Sequence, residues 1–391
     1  MLSEQSRPVI EATLPIIGAR ISSITPKFYE RLFAAHPELL DGIFSRSNQR
    51  NGVQQQALAG SIAVFATHLV NNPGTTPETM LARIAHKHAS LGVVEEQYQV
   101  VYEHLFAAIA EDLGDALTTE IAEAWTEVYW LMAHALVKIE KGLYAQQANS
   151  KAYSPWKLVS REATGAGAVA FTFEPADDTA ATPGKPGQFV SVRMAMPDGI
   201  RQVRQFTLSH SVEQTTRRSF TVKLDENGEF TPVLHRDLEI GGIVELSNPY
   251  GDLVIDHSGA PLVIATAGIG CTPSAAALQT LAEARSTREL TVLHADANVE
   301  AWPLREQMLE SLAKLPQAKL GTWFEQGELP EQLNAKAGYM DLTSHLTPES
   351  HVYLCGPLPF MQSVRAQALA AGISAEHIHY EVFGPDVWLA A

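Results

Sequence analysis

The run Leu262-Val263-Ile264-Ala265-Thr266-Ala267-Gly268-Ile269-Gly270-Cys271-Thr272-Pro273 decides how the second half of this chain is read. Six apolar or small residues form a buried-strand pattern, two glycines break it, and Pro273 opens a helical run that lasts to Ala284. The glycines let backbone approach a phosphate closely, and a helix N-terminus offers free N–H groups. Thr272 reads as the N-cap and Pro273 as the first-turn proline. The third glycine of the dinucleotide pattern GxGxxG is missing, so by itself the stretch is equally a tight strand-to-helix turn. A second element changes the balance. Tyr353-Leu354-Cys355-Gly356-Pro357 closes a later strand, again just before a helix. Both loops then fall at the carboxyl ends of parallel strands, where open α/β sheets bind ligands.

Outward from this run, strands alternate with helices from Pro261 onward: LTVLHA leads to LREQMLESLAKL, and VYLCG to FMQSVRAQALAA. That alternation predicts a parallel sheet wrapped by helices. Upstream, short β-rich runs at Phe189–Met194, Phe206–Ser209, Phe220–Leu224 and Ile243–Leu246 are separated by PGKPGQ and SNPYGD. They predict an antiparallel sheet or small barrel. Before the small, polar stretch Gln146–Ser154 there is almost no strand signal. Apolar residues instead recur three and four apart, as in Leu58, Ile62, Phe65, Leu69 and in Tyr98, Val101, Leu105, Ile109. The expected architecture is multidomain: an all-α domain over 1–148, an antiparallel β-barrel over 153–258 and an α/β parallel-sheet domain over 259–391.

At about 150 residues per domain, 391 residues suit two or three domains. With 46% hydrophobic and 18% charged residues the chain is globular, and disordered or fibrous classes are excluded. The net charge is −16, with 10 basic against 16 acidic residues before position 150 and 18 against 28 after it. Neither part is basic, so no nucleic-acid partner is expected. Two cysteines make no disulfide framework and no zinc spacing. The first residues lack the layout of a signal peptide, and no run of 18 apolar residues occurs. The expectation is a cytoplasmic protein without a membrane span, acting on small molecules as a monomer.

Arg204-Gln205-Phe206-Thr207 lies on a β-run downstream of Pro186-Gly187-Gln188-Phe189, and an arginine with a nearby hydroxyl suits a flavin pyrophosphate. The chain ends with Tyr380-Glu381-Val382-Phe383-Gly384-Pro385, an aromatic beside an acid. With RQFT, GIGCTP, YLCGP and EVFGP in this order, residues 155–391 resemble the ferredoxin–NADP reductase family. The resemblance implies that Arg204 holds the FAD phosphate, Phe206 flanks the isoalloxazine and Thr207 bonds near flavin N5. Phe189, Gln205 and the segment Glu381, Val382, Phe383, Gly384 and Pro385 complete the implied FAD site, Phe383 covering the flavin face that nicotinamide must reach. Gly268, Ile269, Gly270, Cys271, Thr272 and Pro273 would take the NAD(P) pyrophosphate, with Cys355, Gly356 and Pro357 beside them. Phe206 stands where the family usually has Tyr, so a hydroxyl contact is lost while the stacking surface is kept; Phe189 likewise replaces a frequent Tyr. Cys271 and Cys355 invite a redox-pair reading, but without a CxxC they read as ordinary small residues. Asp296-Ala297-Asn298 after LTVLHA offers no Lys or Arg to a 2′-phosphate, which favours NADH over NADPH.

Six histidines fall in residues 1–150. His88 has the best company, in Ile84-Ala85-His86-Lys87-His88-Ala89-Ser90-Leu91, with Tyr98 ten residues on and Glu140 on a long final helix. Haem iron needs one axial imidazole and leaves its opposite face open, and a carboxylate on the far ring nitrogen raises ligand basicity. From the residues alone, solvated or core histidines are the better reading. Lys27-Phe28-Tyr29-Glu30-Arg31-Leu32-Phe33, then Phe44 with Ser47-Asn48-Gln49-Arg50-Asn51-Gly52, then Ala85-His86-Lys87-His88 resemble a bacterial globin. Together with the reductase part, the whole chain is similar to flavohaemoglobins. The resemblance implies haem b on His88, with Tyr98 and Glu140 behind it and Phe44 wedging the ring. Tyr29, Gln54 and Leu58 would form the distal face, and Lys87 and Glu381 would tune haem and flavin. Gln54 sits in Gln54-Gln55-Gln56, which leaves the register open by one residue, and His86 rivals His88.

Hydride arrives as an electron pair while haem iron takes one electron, so a flavin between them is the needed converter. The resemblance implies an NAD(P)H-dependent nitric oxide dioxygenase: electrons pass from NADH or NADPH through FAD to haem, and the ferrous-oxy form turns nitric oxide into nitrate. The alternatives are a haem-based oxygen or nitric oxide sensor and an NADH-dependent ferric or flavin reductase.

Overall fold

Helix α1 (Ser6–Ala35) puts Ile10, Ile17, Ile24, Phe28 and Leu32 in the core, an apolar stripe at helical spacing. It runs through Pro15 and Pro26, which each remove one backbone donor from the ladder. The computed structural model describes all residues except Ser47, Asn48, Arg50, Asn51, Ala166, Ser211, His257 and 385–391. Four of the globin-like motif positions and Pro385 therefore lie outside the described residues. After α1 come α2 (Val53–Asn71), α3 (Glu78–Leu91), α4 (Glu96–Leu113) and α5 (Thr119–Ala145). Gly92 stops α3 with φ +76, and a Cβ there would meet the Ala152 side chain at 2.7 Å. Thr118 caps α5 by accepting from the Ile121 N–H. Helices α3 and α5 pack together in a core that includes Phe65, Leu81, Trp125 and Leu136, each large side chain contributing about 1.5–3 kcal/mol on burial. That packing sets His88 opposite Glu140.

Six antiparallel strands follow: β1 (Tyr153–Ala163), β2 (Ala168–Pro175), β3 (Phe189–Ala195), β4 (Arg201–His210), β5 (Arg218–Lys223) and β6 (Ile243–Ser247). They close into a barrel in the order β1-β2-β5-β4-β3-β6. The β1–β2 hairpin has no counterpart among the β-runs picked out in the sequence. Its register shifts between Leu158 and Ser160, and the bulge breaks the in–out alternation that marks a strand. Phe171, Phe173 and Phe220 fill the barrel, the last two stacked 5.1 Å apart. A short helix, α6 (Phe230–Arg236), leads out of β5.

The parallel sheet comprises β7 (Leu262–Ala267), β8 (Leu290–Asp296), β9 (Ala318–Phe324), β10 (Ala335–Ala337), β11 (His351–Cys355) and β12 (Ile378–Glu381), ordered β10-β9-β8-β7-β11-β12. Helices α7 (Thr272–Glu283), α8 (Arg305–Leu312) and α9 (Leu358–Ala370) connect strands. Every residue of β7 is buried, as a central strand covered on both faces requires. Thr272 corrects the sequence reading: it is the first residue of α7, and its hydroxyl donates back to the Ile269 carbonyl instead of capping the helix. Contacts divide the molecule into two units, one of Met1–Ala152 with Arg193–Arg204 and the chain from Gly384, the other of Tyr153–Val192 and Gln205–Phe383. The three expected fold types are all present. Among the described residues no helix is long and apolar enough to cross a membrane.

Candidate functional site

His88 lies near the end of α3, and its Nδ1 is 2.9 Å from Glu140 Oε1 and 3.0 Å from the Tyr98 hydroxyl. Tyr98 donates its only proton to the same Glu140 oxygen at 2.6 Å. The proton count then fixes the tautomer. Nδ1 carries the hydrogen and donates to the carboxylate, leaving a lone pair on Nε2. Burial, followed by the neighbouring Glu140 charge, pushes the Tyr98 hydroxyl well above the usual phenol range, so it stays a neutral donor. Glu140 is almost wholly buried, whereas a third of the His88 side chain remains accessible. An imidazole oriented from behind by a buried acid and open in front is the donor set haem iron requires. His86, two positions earlier on the same helix, points about 200° away around the axis, so it does not share this carboxylate.

On α1, Tyr29 is buried, and its hydroxyl is hydrogen-bonded by the Gln54 side chain; burial raises its pKa well above the phenol range. Gln54 is thus the member of the triple-glutamine run that meets Tyr29. Phe33 and Phe44 flank that ring at 5.6 and 6.0 Å, and Leu58 packs into the same cluster. Lys87 Nζ donates to the Gly384 carbonyl at 2.7 Å, both within the first unit.

In the barrel, Phe206 stacks flat on Phe220 with centroids 5.4 Å apart and leans on Phe230 at 5.9 Å. One face of the ring is therefore already covered. Gln205 donates to Ser191 Oγ, Thr207 is buried, and Arg204 Nη1 donates to the Val203 carbonyl. Phe189 pairs with Tyr250 in an antiparallel bridge. Phe230 and Thr231 were not singled out in the sequence, because an isolated seven-residue helix carries no periodic signal. Thr231 pins the Asp225–Gly228 turn beside Phe206 through bonds to Asp225 N and O.

The two glycine loops of the parallel sheet touch. A Cβ on Gly270 would lie 2.4 Å from the Cys355 carbonyl oxygen and 2.7 Å from Gly356 Cα. Gly268 has φ +53 with open space around it, which leaves room for a ligand at the loop's outer side. Pro186, Gly187, Thr266, Pro273, Tyr353 and Cys355 line a cleft at this point. Gly187 is obligatory there: a Cβ would fall 1.7 Å from the Leu253 carbonyl oxygen. Tyr353, read from sequence only as part of YLCGP, fixes the crevice floor through its hydroxyl, which lies 3.1 Å from Asp256 Oδ2. Both cysteines are buried and free. Their sulfurs diverge, Cys271 toward the Pro303 carbonyl and Cys355 toward that of Glu381, and burial raises both thiols. They form no redox pair in this arrangement. Glu381 is buried, and Phe383 beyond it is half exposed.

Three family models match the chain: Globin over residues 26–136, Oxidoreductase FAD-binding domain over 155–255 and Oxidoreductase NAD-binding domain over 263–366. Flavohemoproteins from Rhizobium meliloti and Chromobacterium violaceum are 35% and 34% identical to it. The first match covers 99% of this chain and 100% of the relative, the second 98% of each. The chain belongs to the flavohemoprotein family. A flavohemoglobin from Malassezia yamatoensis, solved with bound FAD and heme, matches with 46% identity and a TM-score of 0.93 over 98% of this chain and 100% of that one. This family member therefore carries haem on its globin domain and binds FAD and a nicotinamide nucleotide on its oxidoreductase domains. The FAD/NAD-binding domain of a nitric oxide dioxygenase from Vibrio cholerae matches with 29% identity and a TM-score of 0.55, covering 59% of this chain and 99% of that one.

Proposed function

We propose that this oxidoreductase is a nitric oxide dioxygenase in which NAD(P)H supplies electrons through FAD to haem b. The observation that carries the reading is the His88–Glu140–Tyr98 set standing in one chain with the Tyr29–Gln54 donor pair and the paired glycine loops. The Vibrio cholerae relative named as a nitric oxide dioxygenase supports it. Bound haem would supply the one-electron iron centre at which nitric oxide and dioxygen combine, and FAD the conversion of a hydride pair into single electrons. Each nitrate takes one nitric oxide, one dioxygen and one electron, so a nucleotide serves two turnovers.

The chain's own residues do the rest. Glu140, drawing on the Nδ1 proton of His88, makes Nε2 a more electron-rich ligand. Tyr29, kept neutral by burial and oriented by Gln54, offers a hydroxyl proton to an oxygen that gains negative charge. Arg204, Phe206, Thr207 and Phe383 act on the flavin, and Gly268–Pro273 with Cys355–Pro357 on the nucleotide. Domain bounds of 1–148, 153–258 and 259–391 and a detoxifying role as a cytoplasmic monomer belong to the same proposal. The test is an absorbance spectrum of the holoprotein during anaerobic NADH addition. Reduction of both haem and flavin bands is expected. Flavin reduction with no haem bound, even after haem supplementation, would overturn the reading.

A further inference from the structure

The connection from β6 to β7 forms one wall of the nucleotide crevice and is fastened at Asp256. Leu253 and Ile255 line the crevice together with Gly187 and Tyr353. Just beyond them, the Asp256 N–H donates to the Tyr353 hydroxyl at 2.9 Å, and Arg288 Nη1 donates to the Asp256 carbonyl at 2.8 Å. The Asp256 carboxylate accepts from the Ser258 N–H at 2.7 Å and from His351 Nδ1 at 2.8 Å, with Arg288 Nη2 3.3 Å away. Burial opposes this charge, but the bonds from Ser258, with Arg288 and His351, outweigh it and hold the carboxyl well below the usual range. Asp256 therefore stays ionised throughout the range in which histidines titrate.

Three imidazoles crowd the same point. The His351 ring stacks on that of His377 with centroids 4.2 Å apart, and lies 6.1 Å from that of His379. His379 in turn stacks on Tyr353 at 4.6 Å. His377 Nδ1 and His379 Nε2 are buried and have no hydrogen-bond partner among the described residues. A neutral ring can keep its hydrogen on the other nitrogen. A second proton has to take the buried one, and it becomes a donor with nothing to accept it. Burial and then His351 depress the His379 pKa; His377 acts in the same direction, and Asp256 and Asp252 act against it. Arg288, on the connection from α7 to β8, adds a fixed positive charge beside Asp256. Tyr353 stays neutral, its hydroxyl pushed up to about 12 by burial.

We propose that Asp256 is a positioning residue for nucleotide binding, and that His351, His377 and His379 make its hold on the crevice wall fail in acid. Protonation places like charges on stacked rings and next to Arg288, a repulsion that the cluster relieves by separating. The Leu253–Asp256 wall and the Tyr353 floor then lose their common anchor, and only the anchored fraction binds nucleotide. The sign follows from His379. Its pKa is depressed in the packed cluster, so packing is fully favoured above the ring's ordinary value of about 6.5 and loses ground as pH falls below it. The proposal rests on the nucleotide site described above, and the experiment separates the two.

NAD+ binding to the holoprotein is measured by calorimetry from about pH 5.5 to about pH 8, in two buffers of different ionisation enthalpy. Wild type should bind about fivefold more weakly at the acid end, and near about pH 6 each NAD+ bound should release up to about one proton. The double variant His377→Phe, His379→Phe keeps stacked rings that cannot titrate. It should flatten the affinity profile to within about twofold and remove most of the proton release. Asp256→Asn keeps the shape but not the charge, and should weaken NAD+ binding about tenfold at neutral pH. A wild-type affinity that is flat across this range, or the same pH profile in wild type and the double variant, overturns the proposal while leaving the nucleotide site standing. Unaltered affinity in Asp256→Asn overturns the positioning role in the same way. No NAD+ binding at any pH overturns the nucleotide site as well.

Discussion

The haem side and the nucleotide side of this molecule are built in opposite ways. His88, Tyr98 and Glu140 come from three helices, the first two 10 positions apart in sequence and His88 and Glu140 52 positions apart. Their chemistry is entirely side-chain chemistry, held by helix packing. At the nucleotide side the working parts are contiguous loops, and their critical feature is the absence of side chains: Gly270 against Cys355 and Gly187 against Leu253. Function that lives in side chains across distant helices fails when one partner is removed. Function that lives in backbone fails when an atom is added.

The contrast breaks first at His88. His88→Ala should abolish haem retention, read as loss of the haem band relative to protein, while NADH-to-dye reduction through FAD stays within about threefold, since the nucleotide loops use no residue of the helical region. Loss of both activities would show that the two sides are not independent. Next in size, Gly270→Ala adds a methyl against fixed backbone and should weaken nucleotide binding by on the order of 100-fold, about 2–3 kcal/mol. Gly268→Ala, in open space, carries only the left-handed strain of about 1–2 kcal/mol. Equal effects at the two glycines would contradict the packing argument.

Glu140→Gln keeps the shape behind His88 but removes the charge. Redox titration should find the haem potential raised by on the order of 50 mV, with flavin potential unmoved; an unchanged haem potential would reduce Glu140 to a packing role. The smallest effect is expected at Phe206→Tyr. A recovered hydroxyl contact of about 1 kcal/mol should slow FAD release on dilution about fivefold. Unchanged release would mean that the ring, already stacked on Phe220, points its edge away from the flavin.

The same contrast explains what could be read from the chain beforehand. The glycine loops are local, so LVIATAGIG and YLCGP announce a strand, a turn and a helix with their chemistry attached. The haem side is not local. Nothing in the spacing of His88 and Glu140 places them 2.9 Å apart; only the resemblance of KFYERLF and AHKH to a globin did so, and the helix packing explains why it holds. Gln54 could not be distinguished from Gln55 by pattern, because register on a helix of repeated residues is set by the wall it faces. The β1–β2 hairpin was hidden by its bulge.

Under the proposed function, electrons from a nicotinamide nucleotide end in nitrate. The most direct test is steady-state turnover of the holoprotein with NADH, dioxygen and nitric oxide, measuring nitrate formed against NADH consumed. Sustained turnover with about two nitrates per NADH is expected, as one electron per nitrate requires. A single stoichiometric burst of nitrate, or NADH oxidation that nitric oxide does not accelerate, would contradict it.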